Sequence, residues 1–81
     1  MRYFFESVIE KKQNGYRIPI PFNVWEVCRQ RDVISAKIVL DNRIIDCELL
    51  PIEKGNYSIH IEEEAVADLR PGVSHKILLH I

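Results

Sequence analysis

Apolar and polar residues alternate with a period of two along most of the chain, a pattern typical of β-strands. Short stretches of Gly, Pro, Asn and Asp separate the alternating segments, as expected for turns. The alternation predicts six strands, over residues 3–11, 16–20, 33–40, 44–50, 57–61 and 73–81. In the first of these strands apolar residues fall on both faces, so the pattern leaves its inward face undecided.

Two shorter segments have helical spacing instead. Asn23 is a suitable N-cap, and Trp25 and Cys28 then fall on one face of a helix that stops near residues 29–31. A second helix is predicted over 62–69, where three consecutive glutamates suit the positive end of the helix dipole. The Pro-Gly pair that follows is a typical helix stop.

The order strand–strand–helix–strand occurs twice, in halves of about 2–40 and 43–81. A shift of 41 residues superimposes the halves without a gap. It aligns Tyr16, Ile18 and Ile20 with Tyr57, Ile59 and Ile61. This indicates an internal repeat, although two small ββαβ segments would also look alike without duplication.

The repeat leads to a specific fold prediction, because neither half can bury its own apolar face. We predict a mainly β fold, a small closed six-stranded β-barrel with two short capping helices, built from two ββαβ halves related by a pseudo-dyad. Closure would leave few open strand edges. The helices would cover the two ends of the barrel.

Size and charge narrow the classes of protein that the chain represents. Its 81 residues make one domain, 1–81. The core is small, since a chain of this length buries only about 60–65% of its unfolded surface. Eleven basic and 12 acidic residues give a net charge of −1. This balance does not indicate the basic patch that nucleic-acid binding needs, so we do not expect nucleic acid as a partner.

The two cysteines bear on the location of the protein. Cys28 and Cys47 form no Cys-x-x-Cys pair, and we interpret them as free thiols, one on the apolar helix face and one pointing inward from a strand. No apolar run is long enough for a signal peptide or a membrane span. We therefore predict a cytoplasmic protein without a membrane partner.

A resemblance to a known family rests on five segments of the chain. These are Ile20-Pro-Phe-Asn-Val24, the hairpin around Asn42, Leu49-Leu-Pro51, Gly55-Asn-Tyr-Ser-Ile59 and Pro71-Gly72. From about Phe4 to Ile81 the chain resembles a small prokaryotic family known only as domain of unknown function nineteen-oh-five. The resemblance implies a small closed β-barrel with capping helices. Some members precede a YdeI/OmpD-associated bacteriocin-protection domain, which we expect this chain to end too early to contain.

Few residues suggest chemistry. The candidate ligand-binding residues are Trp25, Arg29, Arg31, Arg43 and His60. The arginines would form a phosphate-binding patch if their turns converge, and Trp25 is either a core plug or the wall of a ligand pocket beneath the helix. The histidines have no zinc-ligand spacing, and no nucleophile motif or Gly-rich phosphate loop is present. We therefore predict no metal, no cofactor and no catalytic residue.

Three functional hypotheses follow. The first is a non-enzymatic module, a monomer or weak dimer, that binds a protein partner or a small ligand. The alternative is a DNA-binding regulator or antitoxin of double-split-barrel type, against which the charge balance counts. The third is an enzyme that acts on a small acidic substrate through the arginines and a histidine. The resemblance supplies no catalytic residues, so the binding module is the hypothesis we carry forward.

Overall fold

The computed structural model describes residues 1–29, 31–64 and 69–81. These residues form seven antiparallel strands and one short helix. The elements are β1 (Arg2–Val8), β2 (Glu10–Lys12), β3 (Gly15–Pro19), α1 (Val24–Cys28), β4 (Ile34–Leu40), β5 (Arg43–Glu53), β6 (Asn56–Glu62) and β7 (Ser74–His80). The prediction of a mainly β fold is therefore confirmed.

The seven strands form a curved sheet, a half-barrel, in the order β1-β7-β4-β5-β6-β3-β2. The predicted closed barrel of six strands is wrong. Its first strand, predicted over 3–11, is divided at Ile9, so β1 pairs with β7 while β2 pairs with β3 at the other end of the strand order. The Ile9 side chain is fully buried, and its carbonyl accepts a hydrogen bond from the Gly72 N–H at 2.8 Å. These contacts hold the chain at the point where the strand changes partner.

Helix α1 begins as the sequence predicts. The Asn23 side-chain oxygen accepts a hydrogen bond from the Glu26 N–H at 3.1 Å, which is an N-cap contact. The Asn23 amide also donates to the Lys54 carbonyl, and the Val24 N–H donates to the Gly55 carbonyl. Gly55 has a φ of 87°, and a Cβ at this position would lie 2.2 Å from the Asn23 oxygen. Glycine therefore lets the β5–β6 turn approach the start of the helix.

The second predicted helix, over 62–69, does not begin where the acidic run begins. Glu62 is the last residue of β6, and the next two glutamates form a turn. The physical reason is strand pairing: Glu62 lies opposite Gly15 of β3, so the ladder extends into the acidic run. The rest of this prediction falls on 65–68, which lie outside the described residues.

The core lies on the inner face of the sheet. Ala36, Ile38 and Leu40 of β4 are all buried, as their predicted alternation requires. Cys47 is also buried, whereas Cys28 is half-buried and packs against the edge of the core. Among the described residues, the largest fully buried side chains are Ile9, Ile18, Val24, Ile38, Leu40, Leu49, Tyr57, Ile59, Ile61, Ile77 and Leu79.

Strand register bears on the predicted repeat without deciding it. Two pairs of residues that are 41 positions apart lie directly opposite each other, Ile18 with Ile59 and Ile38 with Leu79. The same shift fails in β1, where it aligns the exposed Val8 with a fully buried leucine of β5. The ungapped superposition therefore does not extend to the first strand, and the duplication stays a prediction.

Candidate partner-binding surface

The structure brings two of the five predicted site residues into contact. The Arg31 guanidinium lies 4.6 Å from the centre of the Trp25 ring, a cation–π distance. Arg29 is the C-cap of α1 and has a left-handed φ of 57°. Arg43 begins β5 just after the β4–β5 turn, and His60 lies in β6. The predicted arginine patch therefore divides between two elements of the fold.

Trp25 packs against the core from α1. Its ring N–H is buried and finds no hydrogen-bond partner within the residues that the structure describes. Near the helix, a hydrogen bond with Cys28 and then burial raise the pKa of the Tyr3 hydroxyl. Trp25 lines none of the surface depressions described below. Its observed contacts are therefore those of a packing residue.

His60 lies on the outer face of β6, opposite Glu48 of β5 on one side and Arg17 of β3 on the other. Its Nε2 is 3.5 Å from a carboxylate oxygen of Glu62. Together with Asp46 these acidic residues line a shallow depression of about 280 Å³. Across residues 1–29, 31–64 and 69–81, no three His, Cys, Asp or Glu side chains are grouped to hold a metal ion. His60 and these three carboxylates therefore form a charged surface that is open to solvent.

Arg43 lines a larger polar depression, of about 710 Å³, together with Arg70. His75 is also part of it, and its side chain is only 11% exposed. One ring nitrogen lies 3.9 Å from an Asp41 carboxylate oxygen, and the other lies 3.3 Å from the Arg70 carbonyl oxygen. His75 therefore ties the β4–β5 turn to the segment before β7. The sequence did not indicate this grouping, because it depends on the long-range pairing of β4 with β7.

An apolar row crosses the outer face of the sheet. Phe4 of β1 lies opposite Leu78 of β7, Leu78 lies opposite Val39 of β4, and Val39 lies opposite Ile44 of β5. Phe4 is 68% exposed and Ile44 is 72% exposed, while the two side chains between them are half-buried. Single exposed apolar side chains are ordinary, but a contiguous row across four strands indicates an interaction surface. We call these four residues the outer stripe.

A charged row lies beside the outer stripe on the same face. Arg2 lies opposite His80, His80 lies opposite Lys37, and Lys37 lies opposite Asp46. The Lys37 ammonium and the Asp46 carboxylate form an exposed ion pair. Because Asp46 offsets only one of the two fixed cations, this row, which we call the basic row, keeps a positive charge.

Strand β7 ends next to the basic row, at His80. Strands β4 and β7 pair over only three residues, 37–39 with 78–80, whereas β4 pairs with β5 over seven. Residues 34–36 of β4 pair with no described residue of β7, and Ile81, which follows β7, lies beside them. The depression at this point, which we call the notch, measures about 520 Å³. Its inner side is formed by Ala36, Cys47 and Ile81.

The Cys47 thiol in the notch is poorly suited to act as a nucleophile. Burial, followed by the neighbouring Asp46 and Glu48 carboxylates, raises its pKa to about 12. The thiolate is the reactive form of cysteine, and very little of it forms near neutral pH at this pKa. Cys47 therefore contributes apolar surface to the notch.

Comparison with known proteins assigns no function to these surfaces. No family model and no curated protein matches the chain. The resemblance to the nineteen-oh-five family accordingly stays a prediction. Within the described residues, no helix has the length and apolar character needed to cross a membrane.

Proposed function

We propose that the protein is a non-enzymatic binding module that holds a partner protein on the outer face of β1, β7, β4 and β5. The observation that carries this proposal is the outer stripe. Fully burying a large apolar side chain contributes about 1.5–3 kcal/mol. Phe4 and Ile44 are both more than two-thirds exposed. A partner that covers both side chains therefore gains most of this free energy for each of them.

The polar groups support binding over catalysis. The thiol of Cys47 has a raised pKa, and His75 contacts a carboxylate on one side and a carbonyl on the other. His60 lies among exposed charges on a shallow surface. No described depression combines a nucleophile with a general base that is positioned to activate it. The outer stripe, in contrast, requires only a complementary apolar surface.

The alternative function, a DNA-binding regulator or antitoxin, needs a surface that neutralises phosphates. The basic row contains the cations Arg2 and Lys37, but Asp46 offsets one of them, and Glu6 lies on the same face of β1. No observation favours this alternative over a protein partner. Binding of duplex DNA is therefore measured separately in the experiment below.

The test compares the full wild-type chain with Ile44→Lys and Ile52→Lys. Ile52 is the matched control: it lies on the same strand and is 60% exposed, but it is outside the outer stripe. Each protein is immobilised, exposed to extract of the source cells, and the retained proteins are quantified by mass spectrometry. We expect retained proteins that Ile44→Lys loses and Ile52→Lys keeps.

Equal retention by all three proteins would contradict the proposal. Unfolding of each variant is followed in parallel, so that loss of structure is not mistaken for loss of binding. Duplex DNA is tested with the same proteins at low salt. A mobility shift with DNA, without retained protein, would favour the regulator instead.

A further inference from the structure

We propose that the partner is a second copy of the chain, bound face to face through the outer stripe about a two-fold axis that runs along the stripe. This inference rests on the proposed function and names the partner for the same surface. Three features of the outer face carry it: the apolar stripe at its centre, the opposite charges of its two flanks, and the way in which this axis superimposes the flanks.

A second charged row borders the outer stripe on the side away from the basic row. It contains Glu6 of β1, Lys76 of β7 and Asp41 of the β4–β5 turn, all of them exposed. Glu6 lies opposite Lys76, and Lys76 and Asp41 line one depression of about 480 Å³ together with Phe4 of the stripe. The Asp41 side chain lies near His75 but stays 59% exposed. Two carboxylates and one ammonium leave this row, which we call the acidic row, with one negative charge.

The two flanks of the stripe therefore carry opposite net charges. In the basic row Asp46 offsets one of the cations Arg2 and Lys37, so that with histidine counted as neutral one positive charge remains. Residues two apart in a strand lie about 6.7 Å apart and point to the same face, so each row is one such step from the stripe. In a two-fold interface the same patch of both copies meets itself, so the patch must be self-complementary. Flanks of opposite charge meet this condition.

The charges also select the direction of the axis. Sheets that pack face to face with aligned strands keep them within about 30° of each other, which leaves a two-fold axis along the strands or one along the stripe. An axis along the strands turns each row onto its own copy, so that like net charges meet. An axis along the stripe exchanges the rows. It places Arg2 opposite Glu6 of the second copy and Lys37 opposite Asp41 of the second copy, and each of these pairs occurs twice.

The same axis places each residue of the stripe against its own copy. Phe4 and Ile44, the two exposed ends, meet Phe4 and Ile44 of the second copy, and the half-buried Leu78 and Val39 meet theirs between them. The contact then has an apolar centre and a charged rim. This is the usual arrangement in interfaces between proteins.

The size and shape of the face limit the strength of the dimer. Three rows across four strands offer fewer residues than the roughly 20–30 a side that a standard interface contains. The core lies on the inner face of the curved sheet, so the outer face is convex. In the proposed arrangement His80 meets Lys76 of the second copy, a contact that adds no attraction. We therefore expect a weak dimer that forms as the protein concentration rises.

The experiment measures the oligomeric state of the full chain by sedimentation equilibrium, from about 1 µM to 1 mM. Arg2→Glu and Glu6→Arg each place like charges at both copies of one contact, whereas the double variant restores opposite charges and the wild-type net charge. Lys54→Glu, at an exposed position of the β5–β6 turn, changes the net charge as Arg2→Glu does and is its matched control. Ile44→Lys is compared with Ile52→Lys, which lies outside the outer stripe.

We expect the wild-type chain to dimerise as its concentration rises. Each single charge reversal should weaken the dimer about tenfold or more, because like charges opposed across an interface are strongly unfavourable, and the double variant should recover most of the affinity. Lys54→Glu and Ile52→Lys should dimerise as the wild type does, whereas Ile44→Lys should stay monomeric. As a measurement that needs no variant, the amide resonances of Val39 and Ile44 in wild-type chain should shift with concentration, while that of Ile52 stays unchanged.

A chain that stays monomeric up to about 1 mM would overturn the inference. If Ile44→Lys then still loses proteins that the wild type retains from extract, the proposed function stands with a different partner; if it loses none, the proposed function fails as well. A dimer that Ile44→Lys dissociates and the double reversal does not restore would contradict the two-fold arrangement. A dimer that no substitution weakens would lie elsewhere on the chain, which also contradicts the inference.

Discussion

Strand β4 contacts its two neighbours in different ways. Towards β5 it pairs over seven residues, through a tight turn whose residues Asp41 and Asn42 both have left-handed backbone. Towards β7 it pairs over three residues, 37–39 with 78–80. The same alternating strand is therefore paired over seven residues on one side and over three on the other.

The two pairings differ in how their register is determined. The register of the β4–β5 hairpin is fixed by its turn. The pairing of β4 with β7 joins segments far apart in the chain, so no turn fixes its register. Within this pairing Ile38 lies opposite Leu79, and both are fully buried. Packing of these buried side chains therefore takes the place of the turn.

The largest effect is expected from Ile38→Ala compared with Ile34→Ala. Truncating a buried isoleucine lowers the free energy of unfolding by about 2–5 kcal/mol, depending on how far the site collapses. Ile38 is fully buried and lies between β5 and β7, whereas Ile34, at 5% exposure, pairs with β5. Urea unfolding should show the larger loss for Ile38→Ala. An equal or larger loss for Ile34→Ala would mean that the start of β4 is packed as tightly as the segment that pairs with both β5 and β7.

The local part of the fold is what the sequence predicts well. Alternation in β4 identifies Ala36, Ile38 and Leu40 as inward residues, and the Asn23 cap identifies the start of α1, because these signals depend on neighbouring residues only. The division of the first strand at Ile9 is not predictable in the same way. It depends on a change of partner strand and on a contact with Gly72, 63 positions later.

The candidate surface was harder to predict for the same reason. Phe4 and Ile44 are both visible as apolar residues on the polar side of their strands, but their alignment requires the register of four strands. The ambiguous faces of the first strand were the available signal, since Phe4 proves to be 68% exposed while Phe5 is buried. The predicted site residues depended instead on residue type, and type alone does not bring Arg43 near Arg31.

A smaller effect is expected on the reactivity of Cys47, the β5 residue that lines the notch. Cys47 has its pKa raised from 9.0 to about 12, so its thiolate fraction at pH 8 is about a thousandfold below that of an unperturbed thiol. Labelling of Cys47 in a Cys28→Ser chain should therefore be very slow and should increase about tenfold per pH unit. The companion variant Cys47→Ser retains only the half-buried Cys28, so the labelling of each thiol is measured separately.

The same shift has a consequence for stability. An acid whose pKa is higher in the folded state contributes its full stability below the unfolded value, and this contribution is lost as the pH rises from about 9 towards 12. Wild-type chain should lose stability across this range more steeply than the Cys47→Ser chain. Rapid labelling of Cys47 at pH 8 would show instead that the notch opens and exposes the inner side of the sheet.

The smallest effect is expected from Asp46→Asn, which removes the ion pair with Lys37 across the β4–β5 ladder. The two side chains are 82% and 60% exposed, and exposed ion pairs contribute about 0.2–1 kcal/mol. Urea unfolding should show a loss at the lower end of this range, which disappears in 1 M salt because the charges are then screened. If Asp46→Asn cost as much as Ile38→Ala, the ladder to β5 would depend on the charge pair. A small cost would mean that the β4–β5 ladder depends mainly on the turn and the backbone hydrogen bonds.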